Sequence, residues 1–484
     1  MFEFNSDTRN LKYQVLLEVA TLAFAGQLEE KVEEIPYKII NTDVPHFRCC
    51  VYKEREIIRE RTRVAMGQEP TPSCHSNNLV KVLPAACEGC PISRFHVTDN
   101  CQKCLARKCE KACPFGAITM TGRGAYIDPA KCKECGRCAS ACPYNAIADL
   151  IRPCKRSCPT GAISIGENHV ATILEDRCIR CGACVAACPF GAIADTSWML
   201  DVIEALRNPK KKVFAVVAPA VEGQFGTAIS FGSIRRALCD IGFDDVWEAA
   251  LGADAVTTHE AAELKMNMEI GDKMTSSCCP AFVSMIQKHF PNIVDKISST
   301  VSPMVATARY LKHFHPGCTV VFIGPCIAKK SEVFENSVED SADLALTFEE
   351  MLAMLEAKGI DIQNYKEKDQ QASIYGKGFA QAGGLTGAIT KAFQEQNYPV
   401  MPTVRQCPGA EECKKALTLL NLGKLPEDFI EGMMCLQGCV SGPSGILPSK
   451  DVIRNRQKLY ADLDRKDISQ NLQDHDFTGI SLER

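Results

Sequence analysis

The sequence has no long hydrophobic run, no excess of one charge and no uninterrupted apolar leader. Its longest apolar run, Val213–Val221, is less than half of the roughly 20 residues that a membrane-spanning helix requires, so no membrane partner is expected. Fifty-five Lys and Arg against 59 Asp and Glu leave a formal net charge of −4. Such a chain has no general basic field to hold nucleic acid. Near the N-terminus, the apolar stretch Val15–Ala25 is broken by Glu18, which predicts no export signal and a cytoplasmic location. The rest of the composition, 46% apolar and 24% charged over 484 residues, is that of a folded chain long enough for two to four domains.

Cysteine is the exception, with 28 residues. In a small secreted chain they would suggest disulfides. In a long chain read as cytoplasmic, where thiols stay reduced, they point to metal. Sixteen lie between Cys87 and Cys188, and the densest runs are Cys132-x2-Cys135-x2-Cys138-x3-Cys142-Pro and Cys178-x2-Cys181-x2-Cys184-x3-Cys188-Pro. This is the bacterial ferredoxin spacing, in which three thiolates hold one cubane and the fourth, before proline, reaches the neighbouring cluster. Zinc would not explain the recurring Cys-Pro.

The segment repeats: Phe115-Gly-Ala-Ile118, Tyr144-Asn-Ala-Ile147, Thr160-Gly-Ala-Ile163 and Phe190-Gly-Ala-Ile193 each follow a Cys-Pro. Four half-units read as two ferredoxin-like α+β modules in tandem over residues 96–195. The first half-unit is stretched to Cys101-x2-Cys104-x4-Cys109-x3-Cys113. Crossed pairing assigns 4Fe–4S clusters to Cys101, Cys104, Cys109 and Cys142; to Cys132, Cys135, Cys138 and Cys113; and to Cys178, Cys181, Cys184 and Cys158. Cys154 and Cys188 are left over, as is the upstream pair Cys87-x2-Cys90. Either these four hold a fourth cluster or they are plain buried thiols, so three or four accessory clusters are expected.

Residues 1–95 read as a helical region, with helices over Leu11–Val32 and Val51–Met66, the second charged enough to present a solvated face. Cys49, Cys50 and Cys74-His75 lie outside any spacing pattern and read as small buried hydrophobes. Over residues 196–449, apolar segments such as Val213–Ala218 and Thr319–Ile323 alternate with helical stretches such as Asp201–Arg207 and Phe348–Lys358. That alternation predicts a large α/β domain with buried parallel strands. Residues 450–484 read as a polar tail, helical and then loose.

Within the α/β region the cysteines occur in three separated phrases: Thr275-Ser-Ser-Cys278-Cys279-Pro280, Gly324-Pro325-Cys326-Ile-Ala-Lys329 followed by Glu332, and Met433-Met-Cys435-Leu-Gln-Gly-Cys439. From the residues alone, Cys279, Cys326, Cys435 and Cys439 supply four thiolates from three loops. In order and content these phrases resemble the three signatures of the FeFe-hydrogenase catalytic domain, placed behind ferredoxin repeats.

That resemblance implies an iron-only hydrogenase of a divergent, monomeric, multi-cluster kind. It would reversibly reduce protons to dihydrogen with electrons from ferredoxin or a similar low-potential carrier. By the same resemblance, Cys279, Cys326, Cys435 and Cys439 hold the cubane of an H-cluster, and Cys439 bridges to a two-iron subcluster carrying carbon monoxide, cyanide and azadithiolate. Hydrogenase maturation proteins would insert that subcluster.

Cys278 would be the proton-donating thiol, suited to the task by a free pKa near 8.5. Lys329 and the Ala218-Pro219 backbone would face the cyanides, Met433 would lie near the bridging carbonyl, and Glu332 would belong to the same cofactor-binding set. The proton path would run through Glu260, Glu263 and Ser298. The family's outer arginine is not matched, and Asn267 stands near its place. Without the resemblance, Glu260 and Glu263 read as an exposed helix face. Cys407 and Cys413 have no family role and read as buried thiols. Further readings are a hydrogen sensor, an iron–sulfur assembly scaffold and plain electron transfer. No sensory segment is apparent, the relay set argues against a scaffold, and plain electron transfer leaves the last 250 residues without a purpose.

Overall fold

The structure, a computed structural model, describes residues 2–484 except 73–77, 91–92, 167 and 336–337. The Cys74-His75 pair lies outside the described residues. The α/β region is built on two parallel sheets. One has four strands in the order Asp245–Glu248, Val213–Val217, Thr319–Gly324, Leu344–Thr347. The other has three, Met274–Thr275, Phe429–Met433 and Val404–Pro408, with Phe429–Met433 in the centre.

Every residue of Val213–Val217 is buried, as a strand covered by helices on both faces must be. The expected strands Val213–Ala218 and Thr319–Ile323 and the expected helices near 201–207 and 348–358 are found, the helices as Met199–Arg207 and Phe348–Ala357. Each signature follows the carboxyl end of a parallel strand. Ala218 follows Val213–Val217, Pro325 follows Thr319–Gly324, Ser276 follows Met274–Thr275, and Met434 follows Phe429–Met433. Open parallel sheets place their sites at these ends.

The ferredoxin-like segment corrects the expected tandem order, because its two units are nested. Strand Phe95–Val97 pairs antiparallel with Ile147–Asp149, closing one unit around the hairpin Ile118–Thr121/Gly124–Ile127. The other unit contains the hairpin Ile163–Ile165/Ala171–Ile173 and ends in Ile193–Asp195. Its closing partner is Val80–Val82, which lies upstream of the whole first unit. Cys87 and Cys90 are therefore the opening CxxC of the outer unit, separated from Cys154 by the inserted one. Cysteine spacing marks the half-units but not which terminal strands pair.

Local geometry repeats in all four half-units. The third residue after each Cys of a Cys-Pro is left-handed: Gly116 (φ 58°), Asn145 (48°), Gly161 (63°) and Gly191 (57°). That turn brings the next amide back onto the thiol. Ala117 donates to Cys113 Sγ (3.4 Å), Ala146 to Cys142 (3.4 Å), Ala162 to Cys158 (3.2 Å) and Ala192 to Cys188 (3.2 Å).

The N-terminal region is helical, with Asp7–Ala25 and Val51–Ala65 its longest helices. The first shares a core with Phe348–Ala357 of the α/β region, and Tyr13 donates its hydroxyl to Glu356 at 2.6 Å. The second does not present the expected solvated face, for Glu54, Glu60 and Arg61 are buried. Glu54 accepts the amides of His46 (2.7 Å) and Arg48 (2.8 Å), and Glu60 accepts that of Ala85 (3.1 Å). Partners distant in the chain, absent from any helical periodicity, make burial of these charges tolerable. Cys49 is exposed and Cys50 half-buried, so neither is the buried hydrophobe expected.

Residues 450–484 also depart from the expected loose tail. Helix Ser449–Tyr460 buries Val452 and Arg456. Asn471 donates to Asp254 at 2.8 Å, and Arg484 donates its backbone N–H to Ser299.

Candidate active site and its thiol groups

The strand ends converge on a cavity of about 80 Å³ walled by Ala218, Pro219, Cys278, Cys279, Cys326, Lys329, Met433 and Cys439, with Phe322, Phe379 and Met304 completing an apolar lining. The structure thus brings the three signatures and the Ala218-Pro219 segment to one place. Helices Pro280–His289 and Ile327–Glu332 start directly after Cys279 and Cys326. Pro280 is suited to a first helical position.

Cys435 is not on the cavity wall. Burial and the charges of Cys326, Cys439 and Cys279 push its thiol well up, and Cys181 of the ferredoxin-like segment is also close enough to contribute. Cys326 is pushed up to about 12 by burial and then Cys279, and Cys439 to about 11 by the same causes. Four buried thiols that resist ionisation together are stabilised as thiolates only by a strongly cationic partner, which a multi-iron core supplies. The donor set fits such a group.

Lys329 Nζ is held 2.6 Å from Glu332, itself 1% exposed. Glu332, expected among the cofactor-binding residues, is off the cavity wall and pairs with Lys329 instead.

Behind Cys278, helix Ala249–Glu269 carries Glu260 and Glu263 on one face. Glu260 is fully buried, not on the exposed face that the bare pattern suggests. Burial first and Glu263 second push its carboxyl up to about 8. Neither of its oxygens has a partner at hydrogen-bonding geometry, although the Ser298 hydroxyl and Ser277 amide lie close by. Cys278 is in turn pushed well up by burial and then by Glu260. Ser298 donates to Glu263 at 2.6 Å, Ser299 donates its amide at 2.8 Å, and Thr300 adds a longer bond at 3.3 Å. Cys278, Glu260, Ser298 and Glu263 therefore form a continuous polar file from the cavity to a half-buried carboxylate. Asn267 donates to Met274 and takes no part in it.

The accessory thiols gather in the expected sets. Burial is the main cause raising each of the following, and the next contributions name the neighbours. For Cys109 these include Cys142 and Cys101, and for Cys138 they include Cys132 and Cys135. For Cys184 they are Cys181, Cys178 and Cys158, with Cys154 beyond. Cys154 is pushed up to about 11, with Cys188, Cys90 and Cys87 contributing after burial. The four leftover cysteines of the sequence are thus neighbours in space.

Among the described residues no group of three or more His, Cys, Asp or Glu is arranged to hold a single metal ion. A cubane instead takes one thiolate on each of four separate irons. Cys407 and Cys413 are buried as expected, and Cys413 donates to the Cys407 carbonyl.

Two features escaped the sequence. Arg456, 1% exposed, donates to the carbonyls of Pro219 and Lys377 (2.9 Å to the latter), fixing the Ala218-Pro219 wall from behind. No motif could reveal it, because its partners lie far away in the chain. Gly182, between Cys181 and Cys184, has φ 77°, and a Cβ there would stand 2.7 Å from Pro443 and 2.8 Å from Ile327. This glycine lets the Cys178–Cys184 loop press against the walls of the catalytic region. Its place inside a CxGxC phrase was the available signal.

Comparison with known proteins agrees with this geometry. Residues 211–443 match the family of the iron only hydrogenase large subunit, C-terminal domain. Residues 100–146 match a 4Fe-4S dicluster domain, and residues 148–199 match the LdpA Fe-S cluster-binding domain. The periplasmic [Fe] hydrogenase large subunit of Nitratidesulfovibrio vulgaris is 28% identical over 400 residues, 70% of this chain and 91% of that protein. Iron hydrogenase 1 of Clostridium pasteurianum is 27% identical over 300 residues, 51% of this chain and 52% of the relative, so the chain spans about half of that protein. The cytosolic Fe-S cluster assembly factor NAR1 of Kluyveromyces lactis is 34% identical over 89 residues, 18% of this chain and 19% of its own length. No helix among the described residues is long and apolar enough to cross a membrane. With cluster-binding segments ahead of a region that matches the iron-only hydrogenases, the chain is an iron-only-hydrogenase-like protein.

Proposed function

We propose that the protein is an FeFe-hydrogenase that reversibly reduces protons to dihydrogen, with electrons from ferredoxin or a similar low-potential carrier. The observation that carries this reading is the single apolar cavity onto which Cys278, Lys329, Met433, Pro219 and the thiols of Cys279, Cys326 and Cys439 converge, with the Glu260 carboxyl behind Cys278. Cys279, Cys326, Cys435 and Cys439 would hold the cubane of an H-cluster. When bound, that group supplies the redox chemistry of making or splitting dihydrogen.

The protein's share is positioning and proton supply. Lys329, kept in place by Glu332, presents a buried cation to anionic ligands. Arg456 steadies the Pro219 carbonyl on the opposite wall. The Cys278 thiol is held protonated by burial, and Glu260, neutral below about 8, is placed to return a proton to it. Glu263 and Ser298 then connect Glu260 outward.

Electrons would enter through the inserted unit and pass to the outer unit. The thiols of Cys158, Cys178, Cys181 and Cys184 would carry the cluster nearest the active site, since Cys181 and Cys279 lie close enough to interact. The inserted unit has its own small core, separate from the rest. Residues 96–195 and 196–449 would then be electron-transfer and catalytic regions, with a cytoplasmic setting and maturation proteins as partners.

NAR1 similarity supports a second reading, a cluster-assembly scaffold. Hydrogen evolution from a reduced dye by the anaerobically matured protein, compared with Cys278→Ala, separates the two. An enzyme evolves hydrogen and loses it in the variant. A scaffold evolves none in either.

A further inference from the structure

Three arginines close around one thiol group. Arg152, 6% exposed, donates from Nη1 to Cys87 Sγ at 3.8 Å. Arg61, 4% exposed, donates from Nη2 to the Gly191 carbonyl at 2.6 Å, three residues past Cys188, while its Nε has no partner. Arg48 donates to the Ala86 carbonyl beside Cys87 and stacks 4.7 Å over the Phe190 ring. Two glycines leave the room. A Cβ at Gly89 would stand 2.1 Å from Arg48 Nη1, and one at Gly191 would stand 2.8 Å from Arg61 Nη2.

The arginines' polar partners here are carbonyls and a sulfur, not carboxylates. The nearby carboxylates are engaged elsewhere: Glu54 by loop amides, Glu60 by the Ala85 amide, and Glu88 by Lys53 at the surface. Cations beside the other thiol groups are differently placed. Lys329 is paired with Glu332, Arg180 with Glu175, and Lys288 is exposed.

Buried guanidinium groups without a counter-charge are costly. Neutral thiols would leave Arg61 and Arg152 in that state. A 4Fe–4S cluster on four thiolates is a net anion and removes the cost, and its negative charge grows by one on reduction. Burial of the thiols opposes that added charge. Three positive charges in the same poorly screened surroundings favour it more strongly.

We propose that the cluster held by Cys87, Cys90, Cys154 and Cys188 is the most readily reduced of the accessory clusters and stores one electron for the active site. This rests on the reading of these four thiols as a cluster set. One electron from a low-potential one-electron carrier takes the core from its oxidised to its singly reduced form, with no bond broken and no proton moved. Making dihydrogen consumes two electrons that arrive singly. An electron held beside the Cys184 group, whose thiols feel Cys154, provides the second without waiting for another carrier.

The test is an anaerobic redox titration of the matured holoenzyme followed by electron paramagnetic resonance, together with an iron count. Arg152→Met should lower the ratio of reduced to oxidised form of the first-reduced cluster at least tenfold at a fixed potential, about 59 mV for one electron. Signals of the other clusters should stay in place, and Arg152→Lys should recover most of the shift. Arg48→Met, at a half-exposed position, should move the same signal the same way if Arg152→Met fails to fold. Cys154→Ala should remove that signal and about four irons per chain. Unchanged iron and signals in Cys154→Ala would end the cluster reading itself. Loss of iron with the first-reduced signal intact, or no shift in Arg152→Met and Arg48→Met, would overturn the electron-store proposal and leave the cluster in place.

Discussion

Replacing Glu260 by Gln tests the proton path and its electrostatics at once. Burial and the neighbouring Glu263 hold the Glu260 carboxyl at about 8, against an ordinary value of 4.5. At neutral pH the folded protein therefore keeps a proton that the unfolded chain has released. A pKa raised on folding contributes stability that is fully present below the unfolded value and is lost as pH rises through the folded one. At 1.36 kcal/mol per unit, the swing between pH 4.5 and 8 is of order 5 kcal/mol, an upper figure for a site that can relax. Gln mimics the neutral acid at every pH, so Glu260→Gln should flatten this part of the pH–stability curve. The variant should be more stable than the wild type at pH 8.5 and little different at pH 5. Gln cannot relay a proton to Cys278, so turnover should fall by about 10²- to 10⁴-fold while the thermal transition is kept. Anaerobic thermal unfolding at pH 5, 7 and 8.5, with hydrogen evolution on the same samples, reads both effects. Parallel stability curves for the two proteins would refute the buried, neutral carboxyl, and normal turnover would refute its place in the path.

Three other changes probe separate parts of the account. Cys278→Ala should leave iron content and infrared bands close to those of the wild type and reduce turnover at least about 100-fold; near-normal evolution would mean that protons enter elsewhere. Gly182→Ala places a Cβ within 2.7 Å of Pro443 at a left-handed φ and should cost about 1–3 kcal/mol. Its hydrogen evolution should slow more with a protein carrier than with a small dye that can reach other clusters, and equal slowing with both would count against the loop as an electron route. Lys377 is buried between Glu222 (3.1 Å) and Glu248 (2.6 Å). Lys377→Met leaves two carboxylates without their cation and should destabilise by about 3–5 kcal/mol; a change under about 1 kcal/mol in anaerobic denaturation would show that the network is already neutral.

The sequence made the chemistry legible wherever the ligands are local. The CxxC phrases, the Cys-Pro repeats and the three separated signatures can each be read within a few residues, and the structure gathers them as those phrases suggest. The strands Val213–Val217 and Thr319–Gly324 were legible because burial on both faces leaves continuous apolar runs. What escaped depends on partners far away in the chain. Val51–Ala65 looked solvent-facing because Glu54, Glu60 and Arg61 are charged, yet a loop amide, the Ala85 amide and the Gly191 carbonyl make their burial tolerable. Nesting of the two cluster units was hidden for the same reason: only the pairing of Val80–Val82 with Ile193–Asp195 reveals it. Residues 450–484 looked like a tail, but Arg456 reaches the Pro219 carbonyl. Glu260 gave no local sign of burial, since a helical pair of glutamates is most often a wet face.

The most direct test of the central claim is an infrared spectrum of the anaerobically matured protein in the carbon monoxide and cyanide stretching region. The account predicts sharp bands in both ranges, accompanied by hydrogen evolution. Full occupancy of the cubane thiols with no such bands, after maturation with a synthetic two-iron complex, would contradict it and leave a hydrogenase-like fold serving another purpose.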